Sequence, residues 1–109
     1  MTLLFKTQFL PKIREGKKTQ TRRLKQPRLK IGKSYQIGKN YQTTQPEKVK
    51  ILNIFQQKLS EISEEEINKE GFKTKQEFIK AWKAIYRSYD PEATIWVVEF
   101  QYLPPDRNV

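Results

Sequence analysis

The chain predicts an α+β domain in which a small sheet of five or six strands curls into a barrel flanked by helices. Three observations carry this. Apolar patterning runs in the order strand, helix, several strands, two helices, strand. A length of 109 residues supports one modest core and not two. A hydrophobic content of 36% with two Trp, five Tyr and six Phe is what a folded chain carries rather than a disordered one. The domain is expected over residues 1–103, with 104–109 a polar tail.

Leu3-Leu4-Phe5 is an apolar run fit for a first strand, and Phe9, Leu10 and Ile13 follow at near-helical spacing, with Pro11 suited to a first turn and Gly16 to the stop. Residues 19–24 read as a second strand and 34–37 as a brief third, separated by a loop that holds Pro27 and Gly32. Residues 48–55 are apolar on both faces, which predicts a central, covered strand. Ser63-Glu64-Glu65-Glu66 is a capping box that opens a short helix, ended by Gly71. Thr74-Lys75-Gln76-Glu77 repeats the device before a longer helix whose Phe78, Ile79, Trp82, Ile85, Tyr86 and Tyr89 form one apolar stripe, expected to pack on the sheet and to stop at Asp90-Pro91. Residues 95–102, β-branched and aromatic, predict the last strand.

The chain has no His and no Cys, which removes imidazole bases, thiolate nucleophiles, disulfides and the usual ligands of a zinc site. No metal and no cofactor are expected. No apolar run is long enough for a signal peptide or a membrane span, so a cytoplasmic protein with no membrane partner is expected. The net charge of +10 is unevenly spread: residues 1–50 hold 14 Lys or Arg against 2 Asp or Glu, and residues 51–109 hold 8 against 10. A basic half beside a nearly neutral one predicts a phosphate-bearing partner. A solubilising surface, or a basic face for an acidic protein, is the alternative.

The basic half centres on Gly16-Lys17-Lys18-Thr19-Gln20-Thr21-Arg22-Arg23. In an extended segment Thr19 and Thr21 point to one face, and Lys18, Gln20 and Arg22 to the other. Hydroxyls beside long basic arms suit a polyanion or a polar heterocycle better than a core. The candidate ligand contacts are Gly16, Lys17, Thr19, Arg22, Arg23, Lys25, Arg28, Lys30, Lys33 and Tyr35. Tyr35 and Tyr41, flanked by Lys33 and Lys39, could stack on bases or pack on strands; Trp82 and Tyr86 are expected in the core.

The pattern Lys12-Ile13-x-x-Gly16-Lys17-Lys18-Thr19-x-Thr21-x-Arg23, then Gly32-x-x-Tyr35, Gly71-Phe72 and Trp96-Val97-Val98-Glu99-Phe100, resembles the ASCH domain family over almost the whole chain. The resemblance implies a PUA-like β-barrel with helices and a ligand that is RNA, a nucleotide or a nucleoside. Some small members of the family are amidohydrolases that deacetylate N4-acetylcytidine with a Lys, a Thr and a Glu. Matched residue by residue, these are Lys18, Thr21 and, across loops, Glu70, with Glu64, Glu65 and Glu66 nearby. The resemblance also places Arg23 inside the cleft, leaving Arg22 for phosphates at the surface.

The residues allow the same chemistry. Without Ser-His or Cys-His pairs, an acyl transfer here falls to Thr with Lys, and Lys18 serves as base only if burial or neighbouring cations lower its pKa. In that reading Thr21 attacks, Lys18 takes its proton and Glu70 handles the leaving amine. A strand threonine, an exposed phosphate contact and a solvated last-turn glutamate are the structural alternatives for Thr21, Lys18 and Glu70.

Overall fold

The computed structural model describes residues 2–40, 42 and 44–105. The expectations placed on Tyr41 and on residues 106–109 lie outside them. In order, the elements are β1 (Thr2–Leu4), a 3-10 turn (Thr7–Phe9), α1 (Leu10–Arg14), β2 (Gln20–Arg23), β3 (Ser34–Gly38), β4 (Thr44–Lys58), a 3-10 turn (Leu59–Glu61), α2 (Glu64–Lys69), α3 (Lys75–Tyr86) and β5 (Thr94–Leu103).

The five strands form one mixed sheet in the order β1-β3-β4-β5-β2, parallel only where β1 meets β3. The expected closure into a barrel does not occur. Closure would require β1 to pair with β2, and these edge strands of three and four residues are instead linked by a side chain: Arg23 Nη2 donates to the Leu4 carbonyl at 2.8 Å. The sheet is therefore open, with a slot between its two edges.

Strand β4 is central, as the two-sided apolar pattern requires, and runs further than that pattern showed. A bulge lies between Ile51, opposite Phe100, and Asn53, opposite Glu99. Up to the bulge, alternation buries Val49 and Ile51 and leaves Lys48, Lys50 and Leu52 exposed, so this stretch is covered on one face and not on both as expected; past the bulge Asn53 is exposed as well. Strand β5 is apolar on both faces because both are covered. Ile95 and Val97 join Leu59, Ile67, Phe78 and Trp82 beneath α2 and α3. Val98 and Phe100 join Leu3, Phe5, Ile13 and Ile37 beneath α1. Phe72 packs against both clusters, at the junction where the cavity opens.

Each helix boundary has a local cause. Ser63 Oγ accepts from the Glu66 amide, and Glu66 Oε1 accepts in return from the Ser63 amide, the reciprocal box that starts α2. For α3 only half the device forms, Thr74 Oγ1 accepting from the Glu77 amide. Helix α3 stops at Tyr86, before Asp90-Pro91, because Arg87 adopts a left-handed conformation (φ 66°) and returns its amide to the Lys83 carbonyl. Tyr89 is thus beyond the helix, and Ile85 is 55% exposed rather than packed on the sheet.

Gly71 follows α2 with φ +95°, and a Cβ there would lie 3.3 Å from Lys12 Cδ and 3.6 Å from Lys18 Cβ. Gly71→Ala should destabilise the domain by about 1–3 kcal/mol, combining left-handed strain with a close contact. Urea unfolding checks this through a lowered midpoint at unchanged slope. Ser63→Ala, which removes the α2 cap, should cost about 1 kcal/mol in the same measurement.

Candidate ligand cavity

The segment from Lys12 to Thr19 is shaped by the end of α2. The last carbonyls of a short helix have no partner within it. Here Thr19 donates its amide to the Lys69 carbonyl (2.8 Å), Lys18 Nζ donates to the Glu70 carbonyl (2.7 Å), and Lys12 Nζ donates to the Gly71 carbonyl. Two ammonium groups at a helix C-terminus also suit its partial negative charge. Gly16, at φ +75°, makes the turn that brings the segment back.

This docking buries Lys18 to 3% exposure and Glu70 to 4%. Lys18 Nζ spends its three donors on the Gln20 carbonyl (3.0 Å), the Glu70 carbonyl and Glu70 Oε1 (3.1 Å). Glu70 Oε2 accepts from Arg22 Nη1 at 2.9 Å. The Arg22 guanidinium is fully enclosed: Nε and Nη2 donate to Gln57 Oε1, Nη1 also to Gln20 Oε1, and Nη2 also to Glu66 Oε2 (2.7 Å). All five of its N–H groups are thereby engaged. Among the described residues no buried side-chain nitrogen or oxygen lacks a partner.

Alternation along β2 places Thr21 and Arg23 together, with Arg23 Nε donating to Thr21 Oγ1 at 3.2 Å. Lys18, Thr21, Arg22, Arg23 and Glu70 all line one cavity of about 170 Å³. Phe5 and Phe9 floor it, with Lys18 Nζ 4.7 Å from the Phe9 ring centre and the Arg23 guanidinium 5.5 Å from that of Phe5. The opposite wall is a chain of rings: Phe72 meets Phe78 edge-on at 5.8 Å, Phe78 lies 5.9 Å from Trp82, and Trp82 4.3 Å from Tyr86.

Burial pulls the Lys18 ammonium below its ordinary pKa, assisted by the charges of Arg23 and Arg22 and opposed by Glu70. Burial likewise lowers Arg23, against the pull of Tyr86 and Glu70, and as an arginine it stays protonated at neutral pH. Glu66 moves down: burial pushes it up, but the Ser63 amide, Gln57 and Arg22 together outweigh that.

Several expectations are corrected by this geometry. Arg22 is not a surface phosphate contact, since α2 covers its face of β2 and its side chain has 0% exposure. Glu70 is not a solvated last-turn residue, and Lys18 is not an exposed cation. Trp82 is in the core as expected, with Tyr86 packed against it, but neither lies away from the site, since both also wall the cavity. Gly16, Lys17, Thr19, Lys30, Lys33 and Tyr35 lie outside the cavity lining. Lys17 pairs at the surface with Glu15, and the Tyr35 hydroxyl accepts from the Lys30 amide while its ring packs on the core. Lys25 and Arg28 line a neighbouring groove.

Sequence reasoning passed over Gln20, Gln57, Phe5, Phe9 and the aromatic wall. One signal for the wall was present: the α3 stripe includes Ile85, which lies at the cavity mouth, and is wider than one sheet contact needs. Nothing in the sequence marks Gln57, which reaches Arg22 across thirty-five positions. No helix among the described residues is long and apolar enough to cross a membrane.

Three solved structures share this fold. An ASCH domain from Lactobacillus crispatus JV V101 superposes with a TM-score of 0.78 at 13% identity, covering 93% of this chain and 77% of that one. The hypothetical protein PH0355 gives 0.67 at 21% identity, with 94% and 97% covered. A protein from Enterococcus faecalis V583 gives 0.63 at 16% identity, with 85% and 68% covered. No curated protein matches. The family model for the ASCH domain matches residues 2–104, from the first strand through the last, and the chain belongs to that family.

Proposed function

We propose that the cavity binds a single-ring nucleobase-type heterocycle, carried by a nucleoside, a nucleotide or RNA. The observation that carries this reading is the convergence of Thr21, Arg23 and Glu70 with an aromatic wall around a volume of about 170 Å³. A dry cavity of about 150 Å³ accepts one benzene ring. The volume here is close to that of one six-membered ring. A hydroxyl and a guanidinium supply donors, a carboxylate supplies an acceptor, and rings supply the stacking face that base recognition uses. Lys18 and Arg22 spend their donors on the protein, so Arg23 and Thr21 are left to meet the ligand.

Titration of the purified protein with cytidine and with adenosine, followed by calorimetry, tests this. Cytidine should bind and adenosine should not. Arg23→Ala should weaken cytidine binding by about tenfold or more, the worth of one hydrogen bond to a charged donor. Equal affinity for the two nucleosides, or no heat with either, sinks the reading.

A hydrolytic reading is favoured by one further observation, the lowered pKa of Lys18 beside Thr21 and Glu70 in the same cavity. On an N4-acylated cytosine the Thr21 oxygen adds to the acyl carbon as its proton passes to Lys18, in the fraction of molecules that the lowered pKa leaves unprotonated. The C–N bond then breaks with that proton delivered to the amine, and water hydrolyses the threonyl ester. The hydrogen bond from Arg23 Nε orients Oγ1 and makes its proton easier to remove. A base acts when unprotonated, so cytidine release from N4-acetylcytidine should rise with pH through the depressed pKa of Lys18 and then level off. Thr21→Val should lower the rate by about a hundredfold or more with an unchanged circular-dichroism spectrum. Absence of cytidine release by the wild-type protein retires hydrolysis and leaves binding standing. Lys18→Ala is a poorer probe, because stripping one partner from a buried pair costs about 3–5 kcal/mol of stability.

A further inference from the structure

Beside the cavity, at the slot left between the unclosed sheet edges, lies a second groove of about 380 Å³. The two share Leu4, Arg23 and Tyr86 as a common wall. At that junction the Tyr86 hydroxyl accepts from the Leu24 amide at 3.3 Å, tying the end of α3 to the end of β2. The groove floor is apolar, formed by Leu3, Leu29 and Val98, and its cations are Arg23, Lys25 and Arg28. Among the described residues that line it there is no carboxylate. Among the described residues Arg23 hydrogen-bonds to neutral acceptors, the Thr21 hydroxyl and the Leu4 carbonyl, and Glu70 acts on it without a direct bond.

We infer that this groove is a phosphate subsite, and that the ligand of the cavity is a pyrimidine nucleotide rather than a free nucleoside. The inference rests on the base-binding reading of the cavity. A cavity sized for one ring leaves the sugar at its mouth, and from there the ligand can extend past Arg23 and Tyr86 into the groove. Three cations without a carboxylate make that groove complementary to a phosphate ester, and the guanidinium of Arg28 offers the paired donors that a phosphate accepts. Arg23 stands in both walls, so it serves base and phosphate together.

Calorimetry with cytidine and cytidine 5′-monophosphate, on the wild type and on the double variant Lys25→Ala, Arg28→Ala, tests the groove. The readout is the ratio of the two affinities within each protein. In the wild type the monophosphate should bind about tenfold or more tighter than cytidine, with the advantage shrinking as salt rises. In the double variant the ratio should fall toward one; both substituted side chains are exposed, so folding is not at stake. Equal affinities in the wild type, with cytidine bound, overturn the phosphate subsite and leave the cavity reading intact. A ratio that survives the double substitution places the phosphate elsewhere and overturns the groove. Failure of both ligands to bind overturns the cavity reading and the subsite with it. A cytidylate trinucleotide distinguishes the source of the phosphate: a further gain over the monophosphate points to RNA, and none to a free nucleotide.

Discussion

The buried pairing of Lys18 and Arg22 with Glu70 is the constraint on which the rest of the site depends. Taking three charges out of water is expensive, and the cost is offset only if every donor and lone pair finds a partner. That condition recruits most of the surrounding structure. The Gln20 carbonyl and the Glu70 carbonyl complete Lys18; Gln20, Gln57 and Glu66 complete Arg22. Those partners come from β2, from the end of β4 and from α2 with the turn after it, so one ion cluster ties residues 18–22 to residues 57–70, between 35 and 52 positions further along the chain. Glu66 belongs to it while also closing the α2 capping box, which links helix initiation to the site.

Much of this was legible in the chain, and what was not has physical causes. The capping box at Ser63, the glycine stop at Gly71 and the two-sided burial of β5 follow from local chemistry that acts within a few residues, whereas β4, apolar on both faces in sequence, is covered on one. The Gly16 to Arg23 motif likewise announced a polar site. The division of labour within it was not legible, because alternation says that Arg22 and Arg23 point opposite ways without saying what covers each face. Helix α2 covers Arg22, so the arginine expected at the surface became the more deeply buried one. The aromatic stripe of α3 was read as pure core because a stripe facing a sheet and a stripe facing a cavity have the same period. The barrel was expected from the order of elements and from the family resemblance, but closure depends on pairing between the short edges β1 and β2, a long-range register that no local pattern encodes.

The open edge has a consequence for chemistry. A closed barrel would bury the β1 and β2 backbones in ladder hydrogen bonds and leave no slot between them. In the open sheet a single side chain, Arg23, crosses the gap to the Leu4 carbonyl, and the cavity and groove lie to either side of it. A guanidinium can do this because it spreads its donors over a planar fork, so it can hold Thr21 and Leu4 while still forming part of two walls. Lysine in its place would have one point of charge and could not bridge in the same geometry.

Charge balance then separates structural cations from ligand-facing ones more sharply than the overall basicity does. Lys18 and Arg22 are matched by Glu70 and Glu66, two cations against two carboxylates within hydrogen-bonding distance. That cluster is electrically closed and has little attraction left for an anion. Lys17 is likewise paired, with Glu15 at the surface. Arg23, Lys25 and Arg28 surround a groove with no described acidic lining. Part of the excess charge of the first fifty residues therefore holds the fold, and another part, strung along the exit from the cavity, supplies its field to a ligand that enters base first.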